Sequence, residues 1–172
     1  MKRILLLSFL LIITLSNVQA QSVELPDSCK KLLDKNYQGW KPAPIQKDIT
    51  DYFRGKNLSN QLNLVKGDWN GDGKMDYAAL IKHGKSKNEA GEIIGDRRLT
   101  IAFVSRRKGY RHFSFDGGDY IVLMKKGSED YDYNTDKKFR YRTDAIFDGI
   151  WEKAGVSYVW KNGKFIEIIT SD

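Results

Sequence analysis

The sequence predicts an α+β domain in which one or two N-terminal helices pack on a mostly antiparallel meander sheet of about seven strands. Helix-start residues and helical spacing of apolar residues are confined to residues 26–55. From residue 62 onward, short runs rich in β-branched and aromatic residues alternate with turns that contain Gly and Asn. The connections between these runs are short, which favours an antiparallel meander over a parallel sheet.

The first 20 residues have the three parts of a secretory signal peptide. A lysine and an arginine follow Met1, residues 4–15 form an apolar run, and residues 18–20 form a small-residue cleavage site. The apolar run is too short to span a bilayer. We therefore expect cleavage near Ala20, export to the periplasm or the extracellular space, and a mature chain, residues 21–172, that forms a single domain.

Charge and cysteine content narrow the class of protein. The full chain has a net charge of +7, and the expected mature chain has 27 basic and 22 acidic residues, a net charge of +5. This mild excess of positive charge favours binding to anionic surfaces but does not identify a partner. It gives little support for nucleic-acid binding. The single cysteine, Cys29, cannot form an internal disulfide, so it is either a small buried residue or a free thiol available for pairing between chains.

Two helices are predicted before residue 56. Pro26-Asp27-Ser28 precedes residues 29–35, which predicts a helix start with Asp27 or Ser28 as the cap. A second short helix is predicted over residues 46–55, with Ile49, Tyr52 and Phe53 as its buried face.

A polar, glycine-containing segment, residues 68–76, follows these helices. Its sequence, Asp-Trp-Asn-Gly-Asp-Gly-Lys-Met-Asp, places oxygen-bearing side chains at loop positions 1, 3, 5 and 9 and a glycine at position 6. Calcium takes six to eight oxygen ligands, and a chain supplies them by wrapping tightly around the ion. We predict a calcium site with five ligands: the side chains of Asp68, Asn70 and Asp72, the backbone carbonyl of Lys74, and Asp76, directly or through a water.

The flanks of this segment indicate strands rather than helices. Residues 62–66 alternate apolar and polar, residues 77–81 are short and apolar, and position 12 of the loop is Ala79, where a helix-loop-helix calcium motif has Glu. The spacing Asp-x-Asn-x-Asp-Gly-x-x-Asp between strands resembles the calcium loops of FG-GAP and VCBS-type repeats, which are calcium-binding turns in extracellular β-proteins. The resemblance covers about a dozen residues and occurs once, so it implies a metal site and its ligands, and not a propeller or an activity.

A looser similarity extends beyond the loop, and residues 68–76 also have a simpler interpretation. The wider arrangement, from the loop to residues 158–165, is similar to that of small secreted bacterial proteins of no established function. The alternative interpretation of residues 68–76 is a bare turn, because Asp, Asn and Gly dominate turns.

The rest of the chain predicts mainly strands. Residues 83–96 are polar and predict a long loop or hairpin excursion, and Asn162-Gly163 predicts a two-residue hairpin turn. The predicted strands are residues 99–104, 110–115, 120–124, 139–142, 155–160 and 164–169, with turns at 106–109 and 116–119.

Three other segments are candidates for function. Residues 130–136 have oxygen-bearing side chains at alternate positions and form either a second calcium loop or an exposed polar loop or edge strand. Trp151, Tyr158 and Trp160 line a ligand groove or belong to the core. A predicted hairpin carries basic residues near Tyr110, His112 and Phe113, which suit a polyanion or serve solubility at turns and edges. These basic residues are Arg97, Arg98, Arg106, Arg107, Lys108 and Arg111.

Three functions follow from these features. The first is an exported, non-enzymatic protein with one structural calcium site. The second is a module that binds an envelope polymer or a protein through the basic hairpin or an aromatic sheet face. The third is a secreted hydrolase, for which the sequence offers His83 and His112 in separate segments and the pair Asp116 and Asp119, with no nucleophile elbow, P-loop or dinucleotide fingerprint.

Overall fold

The computed structural model describes residues 23–56 and 61–171, which form two helices and eleven strands. The predicted signal peptide, residues 1–20, lies outside the described residues. The helices are α1 (Asp27–Asn36) and α2 (Lys47–Gly55). The strands are β1 (Lys41–Pro42), β2 (Leu64–Gly67), β3 (Asp76–Lys87), β4 (Ile93–Ser105), β5 (Tyr110–Asp116), β6 (Tyr120–Met124), β7 (Glu129–Asp132), β8 (Lys137–Arg140), β9 (Ala145–Ile150), β10 (Ala154–Lys161) and β11 (Lys164–Ser171).

The strands form three antiparallel sheets. The first has the order β1-β3-β4-β5, and β2 pairs with another part of β3. The second has the order β11-β10-β9-β6, and β7 pairs only with β8 in a separate hairpin. In the β10–β11 hairpin, Asn162 and Gly163 have φ of 52° and 79°, as the predicted two-residue turn requires.

The first two sheets pack face to face around an apolar core. Aliphatic side chains at its centre include Leu80 from the first sheet and Ile121 and Ile146 from the second. Aromatic rings close one side of this core: Phe115 stacks on Tyr158 with ring centroids 4.0 Å apart. The two-sheet packing therefore supplies the main hydrophobic contribution to stability.

Each helix packs in a different place. Helix α1 buries Cys29 and Leu33 against the outer face of the first sheet, and it begins at Asp27 after Pro26, so neither predicted cap residue is the N-cap. Helix α2 buries Ile49 and Phe53 in a separate cluster with Leu62. Burial raises the pKa of the Cys29 thiol to about 12, which keeps it protonated and unreactive near neutral pH. No helix in the described part of the chain is long and apolar enough to cross a membrane.

The predicted fold class is wrong. Among the described residues, 50% lie in strands and 13% in helices, and the strands are divided between several sheets instead of forming one meander covered by N-terminal helices. The physical reason lies at residues 116–119, where the chain crosses from the first sheet to the second. A Cβ at Gly117 would lie 2.6 Å from Leu80 Cδ1, and one at Gly118 would lie 2.4 Å from the Gly149 carbonyl oxygen. These two glycines let the backbone pass between the sheets.

Several predicted connections are also strands. Most of residues 83–96 belongs to the long β3–β4 hairpin, one of the two alternatives that the sequence predicts there. Strand β7 overlaps residues 130–136, where a loop or edge strand is predicted, and β8 overlaps the predicted strand 139–142. Strand β9 was not predicted, because Asp148 interrupts its apolar pattern. This carboxyl is buried between the sheets, where it accepts hydrogen bonds from the Thr100 hydroxyl and from the Gly118 amide at 2.7 Å. Burial raises the pKa of Asp148 to about 6.

The buried Asp148 predicts that stability falls as pH rises. Because the folded-state pKa lies above the unfolded value of about 3.9, the folded chain binds the proton more tightly, and this contribution is complete below about pH 4 and lost as pH passes about 6. Asp148→Asn stays neutral. We therefore expect the difference in unfolding free energy, Asp148→Asn minus wild type, to increase by roughly 2–3 kcal/mol between about pH 4 and pH 7.

Urea unfolding of both proteins across this pH range measures the difference. Asp132→Asn, at an exposed turn, is the matched control and should show a flat difference. A pH-independent difference for Asp148→Asn would contradict the assigned burial effect.

Candidate metal centre

Residues 68–75 connect two paired strands, as the sequence predicts. Strand β2 pairs antiparallel with β3, and the last pair before the loop is Gly67 with Asp76. The loop is thus a strand-loop-strand turn at one end of the first sheet. Gly71 and Gly73 have φ of 75° and 80°, in the left-handed region that side chains with a Cβ rarely adopt.

The Asp68 carboxylate lies at the centre of the loop. Its Oδ1 accepts hydrogen bonds from the amides of Gly71 and Asp72 at 2.8 and 3.0 Å, and its Oδ2 accepts one from Gly73 at 2.8 Å. Three backbone donors therefore wrap around one carboxylate. The positive φ of Gly71 and Gly73 gives the turn its curvature at this point.

Asn70 and Asp72 continue the same pattern. Asn70 Oδ1 accepts from the Asp72 amide at 3.0 Å, and Asp72 Oδ1 accepts from the Lys74 amide at 2.9 Å. The bond from the Lys74 amide holds the pKa of Asp72 below its usual value. The Lys74 ammonium lies 3.7 Å from Asp72 Oδ2, so a cation already stands beside this carboxylate.

Asp76 lies beneath the loop and is fully buried. Its Oδ2 accepts a hydrogen bond from the Trp69 amide at 2.9 Å, and its Oδ1 accepts one from the Ser105 amide at 2.7 Å. Burial raises the pKa of Asp76, against the effect of these bonds. Asp76 therefore joins the loop to the end of β4, and both of its oxygens face backbone amides.

Two contacts that the sequence did not reveal hold the loop from the other side. Asp144 Oδ2 accepts from the Asp68 amide at 3.1 Å, and Asp144 Oδ1 accepts from the Lys126 amide at 2.9 Å. Trp69 is fully buried against Gly67, where a Cβ would lie 2.5 Å from its ring. Asp144 is 76 residues from Asp68, so no local spacing could have indicated it.

The loop is compatible with an ion but does not form a dense anionic cluster. Asp68 Oδ2, Asn70 Oδ1 and Asp72 Oδ1 each accept one of the amide bonds described above and keep a second acceptor position, whereas Asp68 Oδ1 already accepts two. Among residues 23–56 and 61–171, no group of three or more His, Cys, Asp or Glu side chains is arranged to hold a metal. Asn70 and the Lys74 carbonyl are neutral donors outside that count. The five-ligand calcium site therefore stays a prediction.

The predicted basic hairpin does not form a single patch. Arg98 hydrogen-bonds the carbonyls of Pro44, Gly118 and Asp119 and lies 3.5 Å from the Asp119 carboxylate, and Arg97 pairs with Asp116. These two arginines anchor the sheet crossing at the far end of β4. The remaining basic residues lie at the exposed β4–β5 turn or the start of β5: Arg106, Arg107, Lys108 and Arg111.

The other candidates are dispersed. His83 and His112 both contact the Tyr37 ring, with centroids 5.5 and 5.9 Å away, and no described hydrogen bond joins His112 to a carboxylate. The three acids in residues 130–136 accept hydrogen bonds from different donors. Asp130 accepts from the Tyr141 hydroxyl, Asp132 from the Asn134 amide, and Asp136 from the Tyr131 hydroxyl.

The predicted aromatic groove is not formed. Trp160 packs with Phe113 and Phe165, whereas Trp151 contacts Tyr52 and Tyr120 elsewhere. Tyr158 is buried in the core between the sheets.

The contacts of Asp76 predict that it contributes more to stability than Asp72 does, even without an ion. Asp76→Ala leaves two buried amides without acceptors, which costs about 1–3 kcal/mol for each. We therefore expect a loss of about 2–6 kcal/mol, against less than about 1 kcal/mol for Asp72→Ala, whose side chain is partly exposed. Urea unfolding in a chelator measures both, and equal losses would refute the structural role of Asp76.

Comparison with known proteins adds no relative. The chain matches no family model, no curated protein and no solved structure. The resemblance to FG-GAP and VCBS-type loops therefore depends on residues 68–76 alone.

Proposed function

We propose that residues 68–76 bind one calcium ion, which stabilises the strand-loop-strand turn of an exported, non-enzymatic protein. The observation that supports this proposal is the convergence of Asp68, Asn70 and Asp72 on one short turn, where backbone amides fix their oxygens. The ligands would be the side chains of Asp68, Asn70, Asp72 and Asp76 and the carbonyl of Lys74. Calcium prefers oxygen donors of this kind.

The ion would act mainly by relieving repulsion within the turn. Asp68 and Asp72 carry like charges in a loop of a few residues, and in its absence the Lys74 ammonium compensates in part. Extracellular calcium modules have dissociation constants on the order of 0.1–1 mM. At about ten- to a hundredfold excess of free calcium over this constant, linkage adds roughly 1.4–2.7 kcal/mol of stability.

Calcium titration tests this proposal directly. We expect calcium, added after chelator treatment, to raise the melting temperature saturably, since it binds the folded loop in preference to the unfolded chain. Asp72→Ala should lose most of this increase. Asp132→Ala is the matched control, because Asp132 also caps a turn through its carboxylate but lies in the β7–β8 hairpin.

The response should be specific to calcium. Magnesium dehydrates reluctantly and needs near-ideal octahedral geometry, so it should have a much smaller effect at equal concentration. A melting temperature that does not respond to calcium would reduce residues 68–76 to a hairpin turn. An equal response in Asp72→Ala would place the ion elsewhere.

A second candidate function is binding of an anionic envelope polymer or an acidic protein at the end of the sandwich that carries the loop. Phe113 contacts Trp160, and Phe115 stacks on Tyr158, so β5 of the first sheet packs antiparallel against β10 of the second. The β4–β5 turn and the β10–β11 turn consequently lie at the same end. Both turns have exposed basic residues that make no ion pair among the described residues: Arg106, Arg107, Lys108, Lys161 and Lys164.

Charge reversal tests this second function. We expect Arg106→Glu combined with Arg107→Glu to abolish retention on an anionic matrix at moderate salt, because exposed charges act over a Debye length of about 8–10 Å. The melting temperature should not change. Lys137→Glu combined with Lys138→Glu, in exposed β8, changes the net charge equally and is the control. Equal loss of retention in both variants would indicate net charge and no binding site.

A further inference from the structure

We propose that a groove between β2 and β6 binds an amphiphile that has an apolar chain and an anionic head group. This groove adjoins the proposed calcium loop and shares Asp68 and Lys74 with it, but the inference does not require the ion. The groove has a volume of about 650 Å³, within the range of small-molecule sites.

Hydrogen bonds join the segments that flank the groove near both ends of β2. At one end, the Ile121 amide donates to the Leu62 carbonyl at 2.7 Å. At the other, Asp144 accepts from the amides of Asp68 and Lys126. The four residues of β2 lie between these bonds and span roughly 13 Å, so the groove follows the length of this strand. This shape suits an extended chain better than a compact ligand.

The floor of the groove is apolar. Strands β2 and β6 contribute Leu64 and Leu123, and α2 contributes Phe53. Two methionines also line it: Met124 in β6, and Met75 in the loop, whose exposed fraction is 47%. Methionine is unbranched and polarizable, so it adapts to chains of different shape. An exposed Met75 beside an apolar groove is therefore a feature that a bound chain would cover.

The free charges around the groove are positive. Lys66 and Lys125 line it, are exposed, and make no ion pair or side-chain hydrogen bond among the described residues. The two lining carboxylates, Asp68 and Asp144, accept hydrogen bonds from backbone amides. Because the two lysines make no ion pair and both carboxylates already accept hydrogen bonds, the groove favours a carboxylate, sulfate or phosphate head group over a cationic one.

Methionine methyl groups provide a direct probe of this site. The chain has three methionines, and both that lie in the described residues line the groove. We would label the purified chain with ¹³C-methyl methionine and titrate it with dodecanoate in excess EDTA. The chelator prevents calcium soaps and keeps the loop free of ion. We expect saturable shifts of the Met75 and Met124 methyl signals.

Two further ligands separate the apolar and ionic contributions. Hexanoate has the same head group and a shorter chain, and it should bind at least about tenfold more weakly, because fewer methylenes are buried. Dodecyltrimethylammonium has the same chain and the opposite charge, and it should also bind at least about tenfold more weakly. Equal affinity for the cationic amphiphile would overturn the proposed head-group selectivity.

Charge-reversed variants locate the head group. Lys66→Glu combined with Lys125→Glu should weaken dodecanoate binding at least about threefold, the range of one or two exposed ion pairs. Lys161→Glu combined with Lys164→Glu, in the β10–β11 turn, which does not line the groove, should change it less than about twofold. Equal weakening in both variants overturns the assigned site. All four positions are exposed, so folding should be preserved, which melting curves verify.

A second copy of the chain is the alternative occupant of the groove. Dimers seen by sedimentation without ligand, with methyl shifts that depend on protein concentration, would assign the groove to self-association and overturn the proposal. Because every titration is made in chelator, a failed calcium response leaves this result unaffected. Likewise, absence of dodecanoate binding says nothing against the calcium site.

Discussion

The buried carboxylate of Asp76 is the interaction on which the loop and its surroundings depend. Removing a carboxylate from water is costly, and here the cost is offset by the amides of Trp69 and Ser105. These donors belong to the loop and to the end of β4, so one side chain holds three segments together. Any change that weakens either bond exposes a poorly solvated charge, which ties the shape of the loop to the integrity of the first sheet.

The loop is therefore largely preorganised before an ion binds. Asp76 fixes it from below, Asp144 fixes it from the second sheet, and the amides around Asp68 fix its centre. Preorganisation reduces the ordering cost that an ion would otherwise meet. We consequently expect calcium to add stability to a formed turn and not to fold a disordered segment. The low count of carboxylates is consistent with the weak affinities of extracellular calcium modules.

Local features were predictable from the sequence, and features that depend on distant contacts were not. The strand-loop-strand setting of residues 68–76 and the Asn162-Gly163 turn follow from short-range patterns, since glycine and asparagine adopt positive φ. The division into two sheets depends on close approach at Gly117 and Gly118. A Gly-Gly pair predicts a turn but does not indicate which sheet the following strand joins.

Strand β9 was missed for a related reason. An aspartate in the middle of a strand pattern indicates a solvent-exposed position. Only the structure shows that Thr100 and Gly118 are the hydrogen-bond partners that allow Asp148 to be buried in β9. The same limitation applied to the candidate site, because Asp144 reaches the Asp68 amide from 76 residues away. The spacing of oxygen-bearing side chains in residues 68–76 was visible in the sequence, whereas the distant residues that hold the loop were not.

Lys74 connects the two sites that we propose. Its ammonium lies near Asp72, and the same residue lines the end of the groove beside Met75. An ion bound by Asp72 would repel this ammonium and favour its displacement toward the groove, where it would add to the charge of Lys66 and Lys125. Linkage requires that any such effect be reciprocal: an anionic head group paired with Lys74 would favour calcium binding by the same factor that calcium favours the head group. With both proposed ligands bound, a single lysine would couple the turn to the groove without any change in the sheets that carry them.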